Sequence, residues 1–150
     1  MAVSLPALRV CADPRCRRAV APEDEICYEC GGTDFREIEA GQAVLLCAVH
    51  DRELAFVLEP GRDHVIGRSE DGAGGPDVDL RRFPASDSVH HRHAAIAAAD
   101  GGWRVTHLGR NALVVRRGEE ALPVEPGSSA ALLSGDTLLV GLVALRFAAA

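Results

Sequence analysis

Three pieces of the chain, V-I-G-R-S at 65–69, D-S-V-H-H-R-H-A-A-I at 87–96 and T-H-L-G-R-N at 106–111, decide how the rest reads. In each, a short strand-like run gives way to a loop. Each loop carries polar or cationic groups: Arg68, His90, His91, Arg92, His93, Arg110 and Asn111. A β-sandwich gathers such loops at one end. Guanidinium and N–H donors brought together in this way suit a phosphate.

The flanking segments read as strands throughout. A-V-L-L-C-A-V-H (43–50) and E-L-A-F-V-L (53–58) are apolar runs joined by Asp51-Arg52, a hairpin-sized loop. Pro60-Gly61 makes a turn before H-V-I-G, and D-G-A-G-G-P (71–76) excludes regular structure. D-V-D-L (77–80) fits a short edge strand. H-A-A-I-A-A-A (93–99) has helix propensity, but Asp100-Gly101-Gly102 followed by W-R-V-T-H (103–107) makes it one arm of a hairpin. Runs at 112–115, 121–124, 130–133, 136–140 and 144–147 complete a set of about ten to eleven short strands, a sandwich pattern.

These motifs resemble the forkhead-associated (FHA) domain, a phosphothreonine-binding module. That family has Gly-Arg after a strand, Ser-x-x-His about twenty residues on, and Asn-Gly after a further strand. Gly67-Arg68 match the first part, His93 matches the His, and His90 stands where the Ser would be. Asn111 matches the Asn and is followed by Ala112 instead of Gly. G-D-T-L-L-V-G (135–141) and A-L-R-F (144–147) look like the family's last hairpin, and the likeness covers roughly residues 42–148. It implies a phosphopeptide site made by Arg68, His90, His91, Arg110 and Asn111, with His93 supporting the loop. Arg68 would hold the phosphate and Asn111 the peptide backbone. Arg110 would reach the phosphate or an acidic side chain of the peptide, and Arg81 and Arg82 precede a loop at the same end. His90 either replaces the family's hydroxyl donor with a ring N–H or marks a fold that has lost its phosphate and serves as a scaffold.

Four of the five cysteines lie upstream, as Cys11, Cys16, Cys27 and Cys30, in the spacing C-x4-C, ten residues, C-x2-C. Gly31-Gly32 follow. The pattern resembles a zinc ribbon, in which two such pairs surround one Zn²⁺ tetrahedrally. Redox or disulfide pairing is the alternative, and the spacing and the expected compartment favour zinc. The segment has few large apolar residues, Ile26, Tyr28 and Phe35, so a metal would act as its staple. Four thiolates close the coordination sphere, which makes the site structural. Cys47, inside an apolar run, reads as a small buried hydrophobe. The expected organisation is therefore a zinc ribbon over 1–36, a linker over 37–42 and an all-β FHA-type domain over 43–150.

Composition narrows the function classes. The chain has 150 residues, 47% of them hydrophobic but only 4% aromatic, so its core must be aliphatic. The formal net charge is −6, which disfavours general nucleic-acid binding, and acidic neighbours weaken the same idea for Arg15, Arg17 and Arg18. All sixteen basic residues are Arg, a usage typical of GC-rich bacterial genomes. No run of eighteen apolar residues occurs, and the opening M-A-V-S-L-P-A-L-R-V lacks the basic region of a secretory signal, so cytoplasmic residence is expected. The chain has no G-x-S-x-G, P-loop Lys or H-E-x-x-H. The expected function is non-catalytic: recognition of a phosphothreonine protein, a Ser/Thr kinase or its substrate, with the ribbon as a second contact surface.

Overall fold

A computed structural model describes residues 9–13, 16, 19–20, 25–27, 30–49, 52–70 and 75–149. The lead-in before residue 9, the cations Arg15, Arg17 and Arg18, the residues Pro14, Pro22 and Tyr28, and the 71–74 part of the glycine-rich loop lie outside the described residues. Among those described there is no α-helix, and no helix is long and apolar enough to cross a membrane.

Strands β1 (Arg9–Cys11), β2 (Ala19–Val20) and β3 (Phe35–Glu37) form a small antiparallel sheet with β1 in the centre. β3 runs one residue into the stretch expected as linker. Then follow β4 (Ala43–Val49), β5 (Arg52–Leu58), β6 (His64–Gly67), β7 (Val78–Asp79), a 3-10 turn at Ser86–Ser88, β8 (Ala94–Ala99), β9 (Gly102–His107), β10 (Leu113–Arg117), β11 (Glu120–Pro123), β12 (Ser129–Leu132), β13 (Thr137–Val140) and β14 (Val143–Ala149). They build a 6-stranded sheet, β11-β10-β13-β14-β4-β5, and a 5-stranded sheet, β12-β9-β8-β6-β7. The two sheets face each other as the all-β sandwich that the turn spacing predicts.

Two local readings meet the structure differently. The β4–β5 ladder ends at Val49↔Arg52, so Arg52, expected in the connection, belongs to β5; Asp51, the other residue of that expected loop, lies outside the described residues, as does His50. The alanine-rich β8 is a strand, hydrogen-bonded to β6 on one side and β9 on the other. Asp100 and Gly101, both at positive φ (53° and 78°), close its hairpin as a type I′ turn. Alanine's helix propensity is a weak preference, and pairing along both edges overrides it.

The core follows the period of two. Leu45, Phe56, Leu145 and Phe147 point inward from the 6-stranded sheet, against Ile66, Ile96, Trp103 and Val105 from the other. Trp103 meets Phe147 edge-on across the sandwich, ring centroids 6.3 Å apart. Cys47 belongs to this core, and burial together with Glu53 pushes its thiol up to about 11, so it stays protonated. At the free edge, all of β11 is exposed, and Pro123 removes one amide that an added strand would need.

The outer face of β4 is also dry. Val44, Leu46, Ala55 and Ala148 pack with Val10 of β1, flanked by Ala19, Ile38 and Val57. This explains why A-V-L-L-C-A-V is apolar at successive positions: both faces of the strand are covered. The small sheet is thus docked on the sandwich, and Arg36, paired with Glu59, reinforces the contact. Leu46→Ala is expected to cost about 2–4 kcal/mol in urea denaturation, as for a buried leucine. A loss within about 0.5 kcal/mol, the surface value, would mean that the outer face is bare.

Candidate functional site

The loop end of the sandwich is organised by one crossing. A β-carbon on Gly67 would lie 1.9 Å from the carbonyl oxygen of His91 and 2.6 Å from its carbonyl carbon. Only glycine lets the 90–92 loop pass this close, which is the physical content of the Gly-Arg pair. The crossing is held by backbone bonds: Leu80 N–H donates to Gly67 O (2.8 Å) and His93 N–H to Ile66 O (2.9 Å).

Arg68 follows at once. It is half-buried, and among the described residues its guanidinium has no hydrogen bond or ion pair. It lines two adjoining clefts. One, of about 420 Å³, includes Ser69, Glu70, Asp77, His91 and Arg92; the other, of about 460 Å³, includes Ser69, Glu70, Arg81 and Ser86. Asp79 ties their walls together, accepting from Ser69 N–H at 3.0 Å and Arg81 N–H at 3.1 Å. Burial pushes its carboxyl up, but the bonds from Ser69 and Arg81 outweigh this and hold it below the usual value.

The histidines divide by burial. His93 is fully buried; its Nδ1 accepts from His90 N–H (3.1 Å) and its Nε2–H donates to Ala112 O (2.8 Å). It therefore bridges the loops before β8 and before β10. The ring of His107 stacks on it at 5.7 Å and 11°. The two nitrogens of His107 each lie 2.7 Å from a carbonyl oxygen, of Val124 and of Asn111. His90 and His91 are exposed and stacked on each other at 4.9 Å, and His91 Nδ1 lies 3.1 Å from Glu70.

Asn111 contributes through Ser88. The Asn111 amide donates to Ser88 O (2.8 Å), while the Ser88 hydroxyl donates to Ala85 O (2.6 Å) and accepts from Leu142 N–H (2.8 Å). Sequence reasoning missed Ser88 because its partner lies 54 residues away. It also missed Asp79 as the anchor of the cleft walls, although its place in D-V-D, beside the end of β6, is a signal in hindsight. The structure brings Arg68 and His91 to one cleft and joins His90 to His93 through the backbone. The His90 ring lines neither of the two clefts, and Arg110 is exposed and outside both.

The cysteine quartet forms a separate cluster. The sulfurs of Cys11, Cys16, Cys27 and Cys30 all lie within 4.8 Å of one another, and all four are free thiols. Cys11–Cys30 and Cys16–Cys27 separations are 3.5 and 3.6 Å. Tetrahedral thiolates at about 2.3 Å from a metal stand about 3.8 Å apart, so the donor set fits such an ion. The backbone N–H of Asp13 faces the Cys11 sulfur and that of Cys30 the Cys27 sulfur. Burial raises the Cys27 thiol, but this N–H and the neighbouring thiols outweigh it and leave the group below its ordinary value. Four cysteines here can hold a metal ion.

Solved structures with this architecture are FHA domains. The FHA domain of human APLF, in complex with an XRCC1 bisphospho peptide, matches with a TM-score of 0.55 and 23% identity, over 73% of this chain and 100% of that one. The FHA domain of the CT664 protein from Chlamydia trachomatis gives 0.56 and 18%, over 73% and 97%. An FHA domain from Arabidopsis thaliana gives 0.50 and 19%, over 75% and 90%. No protein-family model and no curated relative matches the chain. The likenesses establish the fold as an FHA-type β-sandwich.

A pH dependence follows from the buried histidines. Burial holds His93 and His64 below the ordinary 6.5, with nearby His107 acting the same way on His93 and Arg62 on His64. The unfolded chain takes up these protons first as pH falls, so folding stability drops as pH descends through about 6.5. The urea midpoint is expected to fall between about pH 7.5 and 5.5, with a shallower slope in His93→Gln. A midpoint that rises on acidification would contradict this.

Proposed function

We propose that this chain is a non-catalytic recognition module for a phosphothreonine-containing protein, with one structural Zn²⁺ in its four-cysteine unit. The observation that carries the reading is Arg68. A half-buried guanidinium at the shared wall of two clefts, without a partner among the described residues, suits an external oxyanion. His91 adds a donor in the same cleft. His90 would add its ring N–H, since its backbone N–H is occupied by His93. Asn111, held by Ser88, would meet the peptide backbone, and Arg110 an acidic flank of the ligand. His93 acts as the prop of the loop. The recognition domain spans 43–150, with 37–42 joining it to the ribbon of 1–36. A phosphothreonine ligand makes a Ser/Thr kinase or its substrate the partner class, in a bacterial cytoplasm.

One observation favours a second reading. His90 replaces a hydroxyl and its ring stands outside the clefts, as in a scaffold that has lost its phosphate. Titration with a phosphothreonine peptide library separates the two. Binding is expected, and Arg68→Ala should weaken it by about 2–4 kcal/mol, the cost of removing one partner of a desolvated charge pair. If the wild type binds no phosphopeptide while His90→Ser does, the scaffold reading holds.

Cys11, Cys16, Cys27 and Cys30 would hold the Zn²⁺, which supplies a tetrahedral cross-link and no catalytic position. Metal analysis is expected to give about one Zn²⁺ per chain. Chelation should unfold the small sheet and uncover Val44 and Leu46, lowering the melting temperature of the sandwich without abolishing its fold. Zinc-free protein with an unchanged melting curve would count against this assignment.

A further inference from the structure

The four sulfurs of the cysteine unit are unequally placed. Cys11, Cys16 and Cys27 are buried, whereas Cys30 is exposed. Cys30 sits in a closed turn: Gly31 N–H donates to Cys27 O (2.7 Å), and Cys27 N–H to Gly32 O (2.8 Å). It lines a cleft of about 280 Å³, and Cys11 lies on the same cleft with its sulfur 3.5 Å from that of Cys30. Cys16 and Cys27 line no part of it. One sulfur of the quartet is thus open to a small solute, and a second stands close behind it.

The surroundings select the solute. Asp13 and Asp34 also line the cleft, so an anion meets two carboxylates there. A small neutral molecule meets no such barrier. A thiolate is a nucleophile, and a bound metal ion keeps a cysteine in that form. A peroxide is small and neutral, and it oxidises an accessible thiolate to a sulfenic acid. A neighbouring thiolate then condenses with that acid, and Cys11 is placed to do so. Cys47 offers none of this, being buried in the sandwich core and protonated.

We propose that Cys30 is a site of oxidative modification, where hydrogen peroxide drives formation of a Cys11–Cys30 disulfide and so releases the metal of the quartet. In the first step the Cys30 thiolate attacks one peroxide oxygen. The O–O bond breaks, and the other oxygen leaves as hydroxide and takes up a proton to become water. In the second step the Cys11 thiolate attacks the sulfenic sulfur. The S–O bond breaks, and the departing hydroxide again takes up a proton. The two sulfurs together lose two electrons, which the peroxide gains. The disulfide itself needs no metal, whereas the release step rests on the zinc reading: Cys16 and Cys27 alone cannot complete a tetrahedral site. The new bond keeps β1 tied to the 27–32 turn, but Cys16, which precedes β2, loses its tether. Ala19 of β2 packs on the outer face of β4 with Val44 and Leu46, so this is the edge of the docked sheet that oxidation loosens.

The test uses the full chain, purified under reducing conditions and then treated with a small excess of hydrogen peroxide. A chromogenic chelator follows zinc release, and alkylation with mass mapping of peptides identifies the bonded cysteines. The expected first product is a Cys11–Cys30 disulfide, formed in step with zinc release, with Cys47 still reduced. Cys30→His keeps a zinc-ligating side chain but forms no disulfide, and should release zinc about tenfold more slowly at the same dose. If that variant carries no zinc, the wild-type disulfide map alone decides. Glutathione disulfide, an anionic oxidant, should release little zinc in the same time, and equal release would overturn the choice of a neutral oxidant. A first disulfide that excludes Cys30, or zinc retained with all four thiols intact, would overturn the proposal. Protein that holds no zinc yet forms the Cys11–Cys30 disulfide would overturn the zinc reading alone and leave Cys30 as the modified residue.

Discussion

The site depends on a backbone crossing in which one chain segment occupies the space of a missing side chain. The His91 carbonyl fills the volume that a β-carbon at 67 would take. From that contact the geometry propagates outward. Arg68 is placed at the rim because Gly67 is pinned beneath it. His93 then ties the crossing loop to Ala112, and Ser88 ties its start to Asn111 and Leu142. The loop end is thus a closed circuit of hydrogen bonds in which four separate connections fix one another. Such a circuit is pre-organised, so ordering the site on ligand binding requires little further loss of freedom.

At the opposite end the controlling constraint is coverage of an outer sheet face. Val44 and Leu46 would be exposed in a bare sandwich, and the small cysteine-bearing sheet removes them from water. In return that sheet, too small to bury a core of its own, gains an apolar surface to rest on. The four thiols and the Val10 contact therefore act on one short segment from two sides.

Local chemistry made much of this readable in advance. Asp100-Gly101 announced a hairpin strongly enough to override the alanine run before it, and the cysteine spacing announced a four-sulfur cluster. Gly67-Arg68 marked the strand end where the clefts open. Three features were not legible, two of them because their cause is distant in sequence and one because a side chain's backbone partners leave no mark on the strand pattern. Ser88 looks like an ordinary loop residue until Leu142, 54 positions on, arrives at its hydroxyl. Asp79 reads as part of an edge strand, whereas its carboxylate spans Ser69 and Arg81. The apolar run at 43–49 reads as a strand but does not disclose that a separate sheet covers its second face. Arg52 reads as a turn residue but pairs with Val49, because no glycine nearby marks where the strand begins.

The pairing of the first and last sandwich strands has one more implication. Ala43 of β4 lies opposite Ala149 of β14. β14 begins beside the site at Val143 and runs for seven residues, so this pair lies roughly 20 Å from the loop end. The sandwich therefore has its entrance and exit side by side, at the pole away from its binding loops. A unit with that geometry is modular: it can be spliced into a longer polypeptide or circularly permuted through a short 149-to-43 joint without disturbing the recognition surface. Sequence appended at either side of the sandwich then emerges clear of the ligand, and the cysteine unit is one instance of such cargo.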